Sequence, residues 1–275
     1  NLAHKTDLQE QVISEHKNFK RYPPENAAIK SPEQDPISQR YAVDERTTTN
    51  DDHTFGLTIW SNEKYYIASD QVNVFAFLQD AKGERIQGNF NAVFQTDNQQ
   101  SISEFTLKDN DNDGLYEATI DLSQASNSTL SPGIYKVIIE ENTSQIKDAL
   151  TFTLSQPDIQ LTGEFRDSIT SQGDLLIEAQ VEIAQDNRFY IQASLYSINQ
   201  EPVGITQVTQ SLSSGKHWLA LNFSGLMIQD SLASGPYVLQ HISLAKVTMP
   251  MQRGPLQQPD YQTDSYGLDE FSNSP

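Results

Sequence analysis

The sequence predicts an all-β chain of two tandem β-sandwiches. Three observations carry that expectation: short segments of period-two alternation, turn residues at regular intervals between them, and no 3.6-residue periodicity long enough for a crossover helix. Strand-like segments recur at seven or so per ~100 residues, the density of an immunoglobulin-like sandwich. The chain of 275 residues accommodates two such domains, and its 36% hydrophobic residues fall in short bursts that suit two modest cores.

Residues 1–53 read as an extended arm that packs along the first sandwich, or as the remnant of a further N-terminal domain. Asp7 to Phe19 offers a weak helix with Leu8 and Val12 on one side. Pro23, Pro24, Pro32 and Pro36 then rule out a continuous helix or a central strand. Tyr22, Ile29, Ile37, Tyr41 and Val43 are the apolar anchors available to such an arm.

From Phe55 the pattern changes. Phe55, Leu57 and Ile59 alternate with polar or small residues, as do Val72, Val74, Ala76 and Leu78. In Tyr116–Leu122, Tyr116, Ala118, Ile120 and Leu122 share one face while Glu117, Thr119 and Asp121 share the other. Further strands are expected near 87–95, 101–107, 134–140 and 149–154, separated by turns at Asp80–Gly83, Asp97-Asn98 and Ser131-Pro-Gly133. These elements make a first sandwich over 54–156. Gln156-Pro157-Asp158 reads as the joint, and a second sandwich over 157–248 follows. It opens on Ile159 and Leu161, continues with Leu175, Ile177, Ala179, Val181 and Ile183 on one face, and has further strands near 189–197, 203–210, 216–223 and 236–247.

An internal echo supports the division. Tyr116 and Trp218 lie 102 residues apart, and so do Tyr135 and Tyr237, each at the opening of a strand. Residues 249–275, with Pro250, Pro255 and Pro259 followed by spaced apolar residues, read as a C-terminal strap returning along the second sandwich, the alternative being a linker.

Composition narrows the function classes. A formal charge of -19 repels phosphate backbones and anionic headgroups, so nucleic acid is disfavoured as a partner. No segment approaches the ~20 continuous apolar residues of a membrane helix, so no membrane insertion is expected. Cysteine is absent, which suits an oxidising periplasm, where no thiol can mispair, although cytosolic chains share the property. The chain opens on Asn1 with no leader, and the expectation is a signal peptide already removed.

The sharpest local feature is Asp109-Asn-Asp-Asn-Asp113-Gly114. Alternate acids in a loop can converge their oxygens on one Ca²⁺, and the glycine allows the tight turn this requires. Asp109, Asp111 and Asp113 are the candidate metal ligands. Ile120 stands where an EF-hand carries its bidentate Glu and the flanks read as strands, so a further ligand must be borrowed from Glu117, Asp97 or Glu104. The competing reading is a polar hairpin tip whose acids face water. Any ion here is structural, because no nucleophile or base stands nearby.

The histidines His4, His16, His53, His217 and His241 show no metal spacing, although His217 and His241 would approach each other if their strands were neighbours. Neither a GxSxG elbow nor a glycine-rich phosphate loop is present. Trp60, Tyr65, Tyr66, Tyr190, Tyr196 and Trp218 could line a sugar-binding face, but strand aromatics are more often packing residues. Asn127, Asn142 and Asn222 open Asn-x-Ser/Thr triplets, which matter only in a eukaryotic source.

Gly235-Pro-Tyr237 with Val238, Leu239, Ile242 and Leu244, then a polar proline-rich gap, then Thr263-x-x-Tyr266 and Phe271, is similar to a C-terminal signature of β-sandwich modules in exported bacterial proteins. In particular it resembles the uncharacterised DUF4785 family of gamma-proteobacteria, which includes Legionella members. The aspartate loop before Gly114-Leu-Tyr116 resembles a D-G-x-Y turn common in such modules. The resemblance implies tandem immunoglobulin-like domains, a cleaved leader and a periplasmic or secreted location, and it implies no activity or catalytic residue. The functional expectation is therefore a non-catalytic scaffold or interaction protein with an unknown protein or glycan partner. Alternatives are a carbohydrate-binding or adhesin-like module and, further off, a hydrolase with a site between domains.

Overall fold

The computed structural model describes residues 21–124 and 130–274. The expected helix at 7–19, His4, His16 and Asn127 lie outside the described residues. The chain is predominantly β, in several small antiparallel sheets, and divides into two compact units. The first comprises 41–156 with 252–255; the second comprises 157–251 and 256–274 together with residues 21–40.

In chain order the elements are β1 (Asn26–Ala28), α1 (Pro36–Tyr41), β2 (Arg46–Thr49), β3 (Phe55–Ser61), β4 (Tyr65–Tyr66), β5 (Gln71–Asp80), β6 (Arg85–Ile86), β7 (Phe90–Thr96), β8 (Ser101–Thr106), β9 (Tyr116–Asp121), β10 (Gly133–Glu141) and β11 (Lys147–Leu154). There follow β12 (Ile159–Ile169), β13 (Leu175–Ile183), β14 (Asn187–Ser197), β15 (Pro202–Leu212), β16 (Gly215–Phe223), α2 (Gly225–Ser231), β17 (Tyr237–Lys246) and β18 (Gln252–Arg253).

In the first unit one sheet runs β2–β3–β5, with β9 and β6 both on the far side of β5, and the other runs β4–β11–β10–β7–β8. Alternation puts Leu57, Ile59, Val72, Val74 and Ala76 of one sheet and Phe94, Val137, Ile139 and Phe152 of the other into a single buried cluster. Two sheets that share one core are sandwich-like. Glu141, which is fully buried, closes the β10–β11 turn by accepting from Asn89 N (3.0 Å), Thr143 N (3.1 Å) and both Ser144 N and Oγ (2.6 Å each).

The second unit repeats the arrangement. One sheet is β12–β13–β16; in the other, β15–β14–β17 run side by side with β1 added on the β15 edge. Their inner faces share one cluster built on Leu175, Ile177, Phe189, Leu195, Leu221, Phe223 and Tyr237. The strand orders β3–β5–β9 with β10–β7–β8, and β12–β13–β16 with β17–β14–β15, correspond member by member. The echo of 102 residues falls on equivalent strands: Tyr116 on β9 and Trp218 on β16, Tyr135 on β10 and Tyr237 on β17. Tyr135 donates its hydroxyl to Ser131 O and Tyr237 to Ala233 O, in each case four residues back (2.8 and 2.9 Å).

Two segments complete the second unit. Residues 21–40 belong to it, and not to the sandwich that follows them in the chain. Antiparallel pairing of Asn26–Ala28 with Thr206–Gly204 adds a short strand to the β15 edge. At the other end, residues 256–274 run beside β17 through single bridges at Gln257–Ile242 and Gln262–Val238. Tyr261 and Tyr266 then donate their hydroxyls to Asp167 on β12, and Phe271 enters the core against Tyr237. Both helices are a departure from the expected pattern. At six and seven residues they are too short to show a helical period, and α2 buries Leu226, Met227 and Ile228 while packing against β15 and β1.

Candidate functional site

The aspartate loop lies between β8 and β9. Among the described residues, Asp109, Asp111 and Asp113 each offer a carboxylate oxygen within 4.8 Å of the others, Asp109 half-buried and the other two exposed. The loop also has a fold of its own. Asp109 Oδ1 accepts from Asn112 N (2.7 Å) and Oδ2 from Gly114 N (3.1 Å), while Asp113 Oδ1 accepts from Leu115 N (2.7 Å). Burial alone pushes the Asp109 carboxyl up, but the backbone N–H groups of Gly114, Asn112, Asp111 and Asp113 outweigh it and hold the group below the usual range. Gly114 has φ +81, the left-handed region that a side chain would resist, and a Cβ there would sit 3.3 Å from Arg85 Cβ.

The borrowed ligands are placed differently. Glu117 on β9 meets the loop through Asn110, whose Nδ2 donates to Oε1 at 3.0 Å, and it is not part of the three-carboxylate group. Asp97 is paired with Lys136 at 2.7 Å, and Glu104 is an exposed residue of β8. The three aspartates are thus brought together and the fourth carboxylate is not. Arg85 Nη1, 3.8 Å from Asp113 Oδ2, contributes positive charge at the rim.

A second polar cluster lies elsewhere, on the face of β14 and β17 turned away from the core. Asp35 is fully buried; its Oδ2 sits 2.8 Å from His241 Nδ1 and accepts from Tyr196 OH at 3.3 Å, while Oδ1 accepts from Ile37 N (2.8 Å) and Ser38 N (3.3 Å). Burial raises the Asp35 pKa, but hydrogen bonds from His241, the Ile37 N–H and Ser194 more than reverse this, and the carboxyl is held below its ordinary value. Ser194 Oγ lies 3.3 Å from the same His241 Nδ1.

Three residue types of a hydrolytic triad are therefore present without its geometry. A triad needs the carboxylate on one imidazole nitrogen and the nucleophile on the other, so that a proton can pass between them. Here both partners compete for Nδ1, and Ser194 is fully buried. The cluster is built to hold a carboxylate. Sequence reasoning missed it because Asp35 lies in the proline-rich arm; the available signal was Asp35-Pro36, an N-cap followed by proline in the first helical turn.

The remaining histidines stand apart. His217 is on β16 and His241 on β17, in different sheets, so the expected approach of the two does not occur. His217 Nε2 lies 2.8 Å from Ser213 O, and His53 Nδ1 lies 2.9 Å from Thr49 Oγ1.

The aromatic residues are engaged with protein. Trp60 stacks on Phe75 (centroids 5.3 Å apart, 19° between planes), Arg85 covers Phe77 at 4.6 Å and Arg166 covers Trp218 at 4.3 Å. Tyr66 and Tyr196 are buried. Trp218 remains 36% exposed. No helix among the described residues is long and apolar enough to cross a membrane.

Residues 160–255 match the model of the domain described as "Domain of unknown function (DUF4785) C-terminal domain". The match runs from β12 to just past β18. It therefore includes the Gly235–Leu244 part of the resembling signature and leaves out Thr263, Tyr266, Phe271 and the aspartate loop. Among solved structures, a DUF4785 family protein from Legionella pneumophila is 18% identical with a TM-score of 0.49, over 74% of this chain and 57% of that one. The native conformation of Escherichia coli alpha-2-macroglobulin is 13% identical with a TM-score of 0.40, over 77% of this chain and 14% of that one. The chain thus spans a little over half the length of the Legionella protein. No curated protein matches it.

Proposed function

We propose that the protein is a non-catalytic interaction or scaffold protein of the bacterial periplasm or secreted space, built from two tandem immunoglobulin-like sandwiches. The observation that carries the non-catalytic reading is the Asp35–His241–Ser194 cluster, because the constellation that most resembles catalytic machinery is closed on itself and spent on the fold. Support for the immunoglobulin-like reading comes from the matching strand orders and from the hydroxyl bonds of Tyr135 and Tyr237, which have the form of a tyrosine corner at the start of the equivalent strands β10 and β17. A cysteine-free chain supports the oxidising location. Strand edges and variable loops are what such a module offers a protein or glycan partner.

On this reading Asp109, Asp111 and Asp113 take a Ca²⁺ that clips the β8–β9 loop, with Glu117 reached through rearrangement of Asn110. The ion adds stability to a loop that already has its own hydrogen bonds, so its removal is expected to lower the melting midpoint of the first unit modestly. A midpoint indifferent to chelator and to added Ca²⁺ would count against the clip. The non-catalytic reading is tested with chromogenic ester and glycoside substrates, comparing the protein with Ser194→Ala and His241→Gln. Equal background rates are expected; turnover that depends on either residue would overturn the reading.

A further inference from the structure

We propose that the outer face of β14 and β17, with the adjoining edge of β15, is a docking site for a peptide that adds a short strand and presents a carboxylate, and that residues 26–40 of the chain occupy it as a displaceable internal ligand. The inference deepens the interaction reading, on which it rests, by naming the chemical class of the partner.

The first support is what the segment covers. The inner face of β14 is a core face, with Phe189, Ile191, Ala193 and Leu195 buried in the main cluster. Its outer face presents Gln192 and Ser194, and the paired positions on β17 are Ser243 and His241. All four are buried. Ile205 of β15, opposite Ser194, Ala245 of β17, opposite Tyr190, and the ring of Tyr196 are the buried apolar members of this face. A structural cover normally shields apolar surface, because that is where burial stabilises. The four paired positions at its centre, Gln192, Ser194, Ser243 and His241, are groups that water can satisfy once they are uncovered.

The second support is how the segment is held. Its buried apolar side chains are Ile29 and Ile37, and neither belongs to the core cluster. Two isoleucines are too little to offset the ordering of residues 26–40. Specific polar contacts do the rest, at Asn26, at Asp35 and at Arg40, whose Nη1 donates to Gln192 Oε1 at 2.5 Å. Asn26 donates from Nδ2 to Thr206 Oγ1 and Asn222 O (2.9 Å each) and accepts from Ser224 N at 2.7 Å. Asp35 occupies the receptor made by His241 Nδ1 and Tyr196 OH. Between them β1 adds to the β15 edge by backbone pairing, the usual mode of strand addition. Local opening of segments held in this way lies at the low end of a protein's stability range. The chemistry that displaces the segment is therefore its own: a short strand bearing a side-chain amide, followed nine residues on by a carboxylate at the head of a helical turn.

The test uses the full chain with a protease site placed in the exposed connection at 42–45 and cut after folding. A fluorescein-labelled peptide of residues 21–41 is then titrated in and followed by anisotropy, with Trp218 fluorescence reporting the fold of the second unit. Saturable incorporation with Trp218 emission unchanged is expected. A peptide carrying Asp35→Asn should bind roughly tenfold more weakly, since it loses a charged hydrogen bond. In a chain carrying His241→Gln the two peptides should bind alike. The proposal is overturned if the labelled peptide never exchanges in, if the cut chain loses its Trp218 signature as the fragment leaves, or if the two peptides bind equally to the unaltered face. None of these results bears on the esterase and glycosidase assay, so the two readings fail separately.

Discussion

The two tyrosine hydroxyls at the start of β10 and β17 make the same bond in different surroundings, and the difference sets a measurable contrast. Tyr237→Phe removes a donor from Ala233 O, at a residue that is 2% exposed. The carbonyl stays in the protein interior, where an acceptor that loses its partner costs about 1–3 kcal/mol. Tyr135→Phe removes the same bond from Ser131 O, but Ser131 is exposed and water replaces the lost donor. That change should cost only the net value of an exchanged hydrogen bond, about 0.5–1 kcal/mol. Both rings stay in place, so packing is constant across the comparison. The chain has two tryptophans, Trp60 in the first unit and Trp218 in the second. Urea unfolding read in Trp60→Phe and Trp218→Phe backgrounds therefore isolates each unit, which matters because a two-unit chain need not unfold in one step. The expected result is a larger loss for Tyr237→Phe, confined to the transition reported by Trp218. Equal losses, or a larger one for Tyr135→Phe, would refute the argument that burial of the accepting carbonyl decides the cost.

Three further outcomes are expected. Glu141→Ala should destabilise the first unit by about 2–4 kcal/mol, since it removes a buried carboxylate that satisfies three N–H groups and a hydroxyl; Glu141→Gln should recover part of the loss, and urea midpoints read both. Burial pushes the Tyr66 and Tyr237 hydroxyls up to about 12 from an ordinary 10. A phenol whose folded pKa is raised stabilises the fold below its unfolded pKa, so stability should fall as pH rises from about 10 towards 12; absorbance at 295 nm should show these two phenols titrating late or together with unfolding, and ordinary titration before unfolding would contradict the prediction. In the aspartate loop, Asp109→Ala should lower the melting midpoint even in chelator, because Asp109 holds Asn112 N and Gly114 N. Asp111→Ala should act only when Ca²⁺ is present.

Where a sheet face meets water, alternation made it legible. Leu175, Ile177, Ala179, Val181 and Ile183 alternate in the sequence and are all buried on β13, while the residues between them lie on the outer side. The spacing of Asp109, Asp111 and Asp113 likewise announced a convergent loop, since alternate side chains in a tight turn fall on one side. Glu117 was not legible as a separate case, because its backbone pairs with Lys108 and its carboxylate is taken up by Asn110. On β14 the pattern broke down. From Ile191 to Ser197 every residue is buried, because residues some 150 positions earlier cover the outer face, and no local period encodes a distant cover. The Asp35–His241 pair was hidden for the same reason: its members are 206 residues apart, and only the packing of residues 26–40 on the second unit brings them together.

The bridge made by Asn26 has a consequence for the order of events during synthesis. Its amide ties together Thr206, Asn222 and Ser224, partners 180 to 198 residues downstream, and the unit it belongs to is closed only by residues 256–274. The unit formed mainly by 41–156 is contiguous in the chain apart from 252–255 and can condense as soon as residues 41–156 have emerged. The other unit must wait, with residues 26–40 already emerged and unpaired, until the last strand and the strap have been made. Such long-range closure is slow, because loop entropy is spent before the contacts that repay it exist. During that interval the β15 edge and the receptor around His241 stand open to whatever extended chain is nearest, which makes this edge the place where vectorial folding is most exposed to capture by another molecule.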